Sequence, residues 1–134
     1  MYLALLNKEQ KEIFLGLAYN LANIDVDYSS SEQQMIESYC GEMNIEYSDS
    51  IAKVELNTIM ENINKIFDNK SIKIVLFELI GLAMVDNNYD ETEHAFLNSI
   101  QNLFSVDSEF MSKAENYIKN YLDLQLNINT LILN

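Results

Sequence analysis

Hydrophobic residues recur along this chain at the spacing of helix faces. In residues 8–24, Ile13, Leu17, Leu21 and Ile24 follow one another at intervals of four, four and three. This spacing places them on one face of an α-helix with 3.6 residues per turn. Comparable apolar patterns predict five further helices, namely one that begins near residue 30 and others over residues 49–67, 71–85, 91–104 and 109–124. The pattern predicts an all-α protein, a compact bundle of about six helices.

The residues that usually form tight turns are rare. The chain has 3 glycines and no proline, whereas β-sandwiches, barrels and hairpins use these residues at their turns. A length of 134 residues and a hydrophobic fraction of 49% are sufficient for one domain with its own core. We therefore expect residues 1–134 to form a single helical domain.

The two halves of the chain are similar in sequence. LANIDVDYSSSE at residues 21–32 aligns with LAMVDNNYDETE at residues 82–93, and Leu, Ala, Asp, Tyr and Glu coincide at a constant offset of 61. We interpret this as a duplicated helix-turn-helix unit, with halves at about 8–69 and 71–124. Because two repeats would leave an open solenoid partly uncovered, the halves are expected to close on each other.

Each of the aligned segments carries an acidic turn. The first contains Asp25 and Glu32, and the second contains Asp86, Asp90 and Glu93. Carboxylate oxygens are the usual ligands of hard divalent cations, so these five residues are the candidate metal ligands. The turns do not match an EF-hand, which needs glycine at its sixth position and glutamate at its twelfth. Three predicted helices separate the two turns, so we do not expect one shared site.

Local helix capping offers an alternative role for the same residues. Asp90 and Glu93 have the spacing of a capping box, as do Ser29 and Glu32. In that arrangement the first residue accepts a hydrogen bond from the third amide of the helix, and the glutamate returns a bond to the cap. We favour this structural interpretation and keep weak cation binding at a single turn as the alternative.

Several segments of the chain resemble the TerB-like family, which is linked to tellurite resistance. The resemblance lies in the opening MYLALLNKEQKEIFLGLAYNLANID, in the two Asp-x6-Glu turns, and in Ala22 and Ala83 before them. It implies an all-helical domain with a role in bacterial stress responses, inside protein complexes near the membrane and with metal ions as candidate ligands. It implies no established enzymatic activity. The acidic pair of the family falls on Asp25 with Glu32, and on Asp86 with Glu93.

The turns also depart from the family pattern. Family turns read Ala-Asp-Gly, but Val26 and Asn87 stand here where glycine is expected. A β-branched valine tolerates positive φ poorly, whereas asparagine tolerates it well. The second turn is therefore the better candidate site.

Charge and cysteine content restrict the classes of function. The net charge of -13 opposes nucleic acid and favours a basic protein partner or a cation. Cys40 is the only cysteine, so no intramolecular disulfide or multi-cysteine zinc site is available. No signal peptide is readable, and the apolar run at residues 74–85 is too short to cross a bilayer. We expect a cytoplasmic protein that is not inserted in a membrane.

No motif predicts catalysis. Glu91 and His94 have the spacing of one di-iron ligand pair, but such sites need two pairs. Cys40 has no histidine nearby in the sequence to serve as its base. We therefore predict a non-enzymatic interaction module with a protein partner. Five residues, which core packing would also explain, could line a groove for a partner helix: Met35, Met43, Phe96, Phe104 and Met111.

The last residues of the sequence are strongly apolar. Leu131, Ile132 and Leu133 follow one another in the segment LQLNINTLILN. Such residues are expected to dock on the bundle or on another chain.

Overall fold

The computed structural model describes residues 1–24, 30–85 and 89–134. Within these ranges the chain forms seven α-helices and no strand, so the predicted all-α class is confirmed. A short 3-10 helix at Leu3–Leu5 precedes α1 (Lys8–Ala22), α2 (Ser30–Met43), α3 (Asp49–Ala52), α4 (Leu56–Ile66), α5 (Asn69–Met84), α6 (Glu91–Leu103) and α7 (Ser108–Leu133).

The single helix predicted over residues 49–67 is wrong, because two helices, α3 and α4, occupy that segment. Between them, Glu55 has extended backbone angles and is the N-cap of α4. The side chain of Asn20 on α1 donates a hydrogen bond of 3.0 Å to the carbonyl of Val54. This contact satisfies a backbone group that the break removes from the helix. It comes from a distant part of the chain, so hydrophobic spacing does not reveal it.

The other discrepancy concerns the last helix. The prediction ended it at residue 124, but α7 runs to Leu133 and is 26 residues long. Its first half packs against α5 through a buried face that includes Met111, Ala114 and Ile118. Its second half continues as helix beyond that contact.

Helix α1 lies at the centre of the packing. It contacts α2, α3, α4 and α5, and α5 in turn contacts α6 and α7. The buried side chains of these helices belong to one hydrophobic cluster, in which Phe14 and Tyr39 meet edge to face with ring centroids 5.1 Å apart. The Tyr39 hydroxyl donates a 3.0 Å hydrogen bond to the Glu78 carbonyl. The polar end of this buried ring is therefore satisfied.

Helix ends in the two halves correspond at the offset seen in the sequence. Asn7 and Asp68, which are 61 residues apart, are the N-caps of α1 and α5, and both form complete capping boxes. Asn44 and Ser105 follow α2 and α6 at the same offset, and both have positive φ, 55° and 53°. After each of them, a backbone N–H donates to the carbonyl five residues earlier, at 3.0 Å in both cases. These matches favour an internal duplication, which stays a prediction.

Candidate functional site

The described part of the second acidic turn is a helix cap. Asp90 is the N-cap of α6, and its Oδ1 accepts a hydrogen bond of 2.9 Å from the backbone N–H of Glu93. The same oxygen accepts a 2.7 Å bond from the hydroxyl of Thr92. The capping interpretation predicted the first of these bonds. An oxygen that already accepts two hydrogen bonds has little capacity left for a metal ion.

The two glutamates of the acidic turns occupy equivalent positions. Glu32 is the third residue of α2 and Glu93 is the third residue of α6, and their exposed fractions are 7% and 5%. A carboxylate in the first turn of a helix is favoured by the helix dipole, which supports a structural role for both.

The remaining candidate ligands, Asp25 and Asp86, lie outside the described residues. Across residues 1–24, 30–85 and 89–134, no group of three histidine, cysteine, aspartate or glutamate side chains is arranged to hold a metal ion. The structure therefore brings Asp90 and Glu93 together as a cap and leaves Glu32 in the other half.

An aromatic contact beside the second turn was not predicted from the sequence. The rings of Tyr89 and His94 are stacked, with centroids 3.6 Å apart and an angle of 12° between their planes. The Tyr89 hydroxyl donates to Glu115 of α7 at 3.3 Å. Burial raises the pKa of Tyr89, and the nearby carboxylates of Glu115 and Glu93 raise it further. These contacts connect the second turn to α7, and they give His94 a packing role beside the turn.

Cys40 lies within the hydrophobic cluster. Its exposed fraction is 6%, and burial raises the pKa of its thiol, with a smaller contribution from the charge of Glu37. A nucleophilic cysteine needs a lowered pKa, since the thiolate is the reactive form. The environment of Cys40 therefore favours the role of a small buried apolar residue.

Helices α1, α3 and α4 enclose an open cavity of about 610 Å³. Its lining includes the apolar residues Ile13 and Ile59 and the ionisable residues Glu9, Glu12 and Lys65. No histidine or cysteine lines it. Its ionisable lining groups are therefore carboxylates and one amine.

The apolar residues that the sequence offered as a groove for a partner helix belong to the core. Met43, Phe96 and Met111 are buried, and Met35 and Phe104 are partly buried against the same cluster. Core packing is therefore the role of most of them, whereas Met35 also lines a groove of about 360 Å³ between α2, α5 and α7.

The end of α7 is the main apolar feature that the fold leaves uncovered. We call residues 124–133 the α7 arm. All of these residues are exposed, with fractions of 57% for Leu124, 71% for Ile132 and 79% for both Leu131 and Leu133. The expectation that the terminal apolar residues dock on their own bundle is therefore wrong, and docking on another chain remains.

One face of α7 carries a continuous row of exposed apolar side chains. We call it the α7 stripe, and it consists of Tyr117, Tyr121, Leu124, Ile128 and Leu131, all exposed. Successive members are separated by four, three, four and three residues. This spacing keeps all five on one side of the helix.

A comparison with known proteins finds no family model, no curated protein and no solved structure that matches this chain. The functional argument accordingly rests on the chain's own residues. None of the helices in the described ranges is both long enough and apolar enough to cross a bilayer.

Sequence reasoning located only part of the α7 stripe. It identified Leu131, Ile132 and Leu133 as residues that need a partner, but it did not connect them with Tyr117 and Tyr121. The intervals between the five stripe residues were the available signal. The prediction that ended the helix at residue 124 separated the two parts of the pattern.

Proposed function

We propose that this protein is a non-enzymatic interaction module that binds a protein partner through the α7 stripe. The observation that carries the proposal is the exposure of five large apolar side chains on one face of a regular helix. Soluble proteins rarely leave a contiguous apolar patch of this kind uncovered unless it binds something. Burying one such side chain against a partner would contribute about 1.5 to 3 kcal/mol of favourable free energy from removal of apolar surface from water.

The rest of the described structure supports a binding role over catalysis. Cys40 is buried with a raised thiol pKa, and Asp90 serves as a helix cap. These features leave the α7 stripe as the best supported functional surface.

A role in the cell follows from the resemblance to the TerB-like family. We propose that the module takes part in a bacterial stress response and works in the cytoplasm. The resemblance implies an all-helical fold, which this chain has. The resemblance itself rests in part on the residues of the acidic turns. The proposal is that of a protein acting within a complex.

Binding of a divalent cation at the acidic turns is the alternative. Its ligands would come from Asp86, Asp90 and Glu93, or from Asp25 and Glu32. The two hydrogen bonds accepted by one Asp90 oxygen weigh against it.

Site-specific photo-crosslinking tests the interaction module in the full chain. A photoreactive phenylalanine analogue replaces Leu124 on the stripe or, as a matched control, Leu126. The two leucines are 57% and 63% exposed, and they lie on opposite sides of the helix because two residues turn it by about 200°. We expect a discrete crosslinked product in cells from position 124 and none from position 126. Equal products from both positions, or none from either, would refute the proposed function.

A further inference from the structure

The spacing of apolar residues differs between the two faces of α7. The face packed on the bundle presents Met111, Ala114, Ile118 and Leu122, at intervals of three, four and four. The exposed α7 stripe has intervals of four, three, four and three, which is a seven-residue repeat. A repeat of that length is the pattern of a left-handed coiled coil, because it keeps the same seam facing a second helix. The stripe is therefore suited to another helix of the same period.

Charge restricts which helix that can be. The protein carries a net charge of -13, but none of residues 124–134 is charged. The positions that flank the stripe in a coiled coil are also uncharged, among them Asn120, Gln125 and Asn127. A basic partner would find no carboxylate along the arm to pair with. A partner whose contacting face is itself apolar and uncharged would bury no unpaired charge against the α7 stripe.

We infer that the partner of the α7 stripe is a second copy of this chain, with the two α7 helices paired as a two-stranded coiled coil. The inference rests on the proposed function and identifies the partner that the α7 stripe binds. A second copy supplies the same repeat and the same neutral flanks, and two chains of charge -13 can approach most closely where neither is charged.

The area of the stripe suits a reversible dimer. Each of its five side chains exposes on the order of 100 Å², so pairing two copies buries roughly 1,000 Å² in total. Specific interfaces begin at about that size. The stripe spans Tyr117 to Leu131, which is about two heptads, and short coiled coils are weak. We expect dissociation in the micromolar range.

Analytical ultracentrifugation of the full chain tests this inference. Over concentrations from about 1 μM to about 1 mM, we expect the mass to rise from that of one chain to that of two. Leu124→Asn should weaken the dimer at least tenfold, because each dimer contains the substitution twice at the seam. The matched control Leu126→Asn, with the same chemical change on the opposite face, should leave the dissociation constant within twofold of the original. Added salt should strengthen association, since it screens the repulsion between two acidic chains.

Three outcomes would overturn the second copy as the partner. The first is a single-chain mass at all concentrations, and the second is equal weakening by Leu124→Asn and Leu126→Asn. The third is Leu124-dependent binding to uncharged phosphatidylcholine vesicles by a chain that stays monomeric. The crosslinking experiment separates this inference from the proposed function. Suppose that the purified protein is monomeric and that position 124 gives a crosslinked product whose mass is not that of two chains. That result would support the interaction module and exclude pairing with a second copy.

Discussion

The packing of α1 against α3 and α4 can be tested with two glycines that differ only in what surrounds them. Gly81 lies in α5, and a Cβ placed there would meet no atom within 4 Å. Gly16 lies in α1, where a Cβ would stand 3.0 Å from Cδ1 of Ile59 and 3.4 Å from the carbonyl oxygen of Ile51. Replacing each glycine with alanine gives the same gain in helix propensity, so the difference between the variants reports the local space.

For Gly81→Ala we expect stabilisation of about 0.5 to 1 kcal/mol, because alanine loses less backbone entropy than glycine in a helix. In a chain of this size, that change corresponds to a rise in melting temperature of about 2 to 4 °C. For Gly16→Ala we expect a result between no change and a loss of about 2 kcal/mol, since overpacking costs about 1 to 3 kcal/mol and offsets the gain. Thermal and urea unfolding followed by circular dichroism measures both.

A second substitution identifies the atom responsible. Ile59→Val removes Cδ1, the atom nearest to the added Cβ. Alone it should cost about 0.5 to 1.5 kcal/mol, but in the Gly16→Ala background it should cost less or restore stability. Stabilisation by Gly16→Ala equal to that by Gly81→Ala, or costs that simply add in the double variant, would refute the close approach of α1 to α4.

Two further predictions concern the acidic turn and alkaline pH. Asp90→Ala should lower the free energy of unfolding by about 1 kcal/mol through loss of the N-cap, and the exposed control Asp123→Ala should lower it much less. We expect the effect of Asp90→Ala to be the same in metal-stripped protein and after titration with calcium, magnesium, manganese or zinc. A saturable rise in melting temperature for one ion, lost in Asp86→Ala, would contradict the capping account, because an ion at 100 times its dissociation constant adds about 2.7 kcal/mol. Burial, then the charges of Glu78 and Glu42, raise the pKa of Tyr39 well above its ordinary value of about 10. The unfolded chain therefore loses this proton first, so stability should be retained below that ordinary value and fall as the pH rises above it. Unfolding titrations should show a shallower fall for Tyr39→Phe, and identical slopes would exclude a contribution from this hydroxyl.

Features that depend on neighbouring residues in the chain were predictable. Hydrophobic spacing located the helices, since the geometry that puts residues on one face is local. The bond from the Glu93 amide to Asp90 was likewise expected, because an N-cap and its helix lie within four residues of each other. The break between α3 and α4 was not predicted. Asn20, which binds the Val54 carbonyl there, is 34 residues away in the sequence.

The candidate site divides in the same way. The acidic residues and the terminal leucines were evident from the sequence, but the sequence did not indicate which of them would be buried. The sequence predicted Glu32 and Glu93 as capping residues or metal ligands, but only the packed helices show that both are buried. The contact of Tyr89 with His94 and Glu115 also depends on where α7 lies against the second turn.

The amino-acid sequence by itself determined that this chain is helical, acidic and apolar at its end, because composition and short-range spacing are properties of the chain alone. Only the tertiary structure decided which apolar faces are covered. Two pairs of residues on α7 have the same spacing of seven: Met111 with Ile118, and Tyr117 with Leu124. Only the first pair is buried, because it lies on the side of the helix that packs against the bundle. The surface left over, and with it the proposed function, therefore depends on the position of neighbouring helices, since burial is a property of the assembled fold.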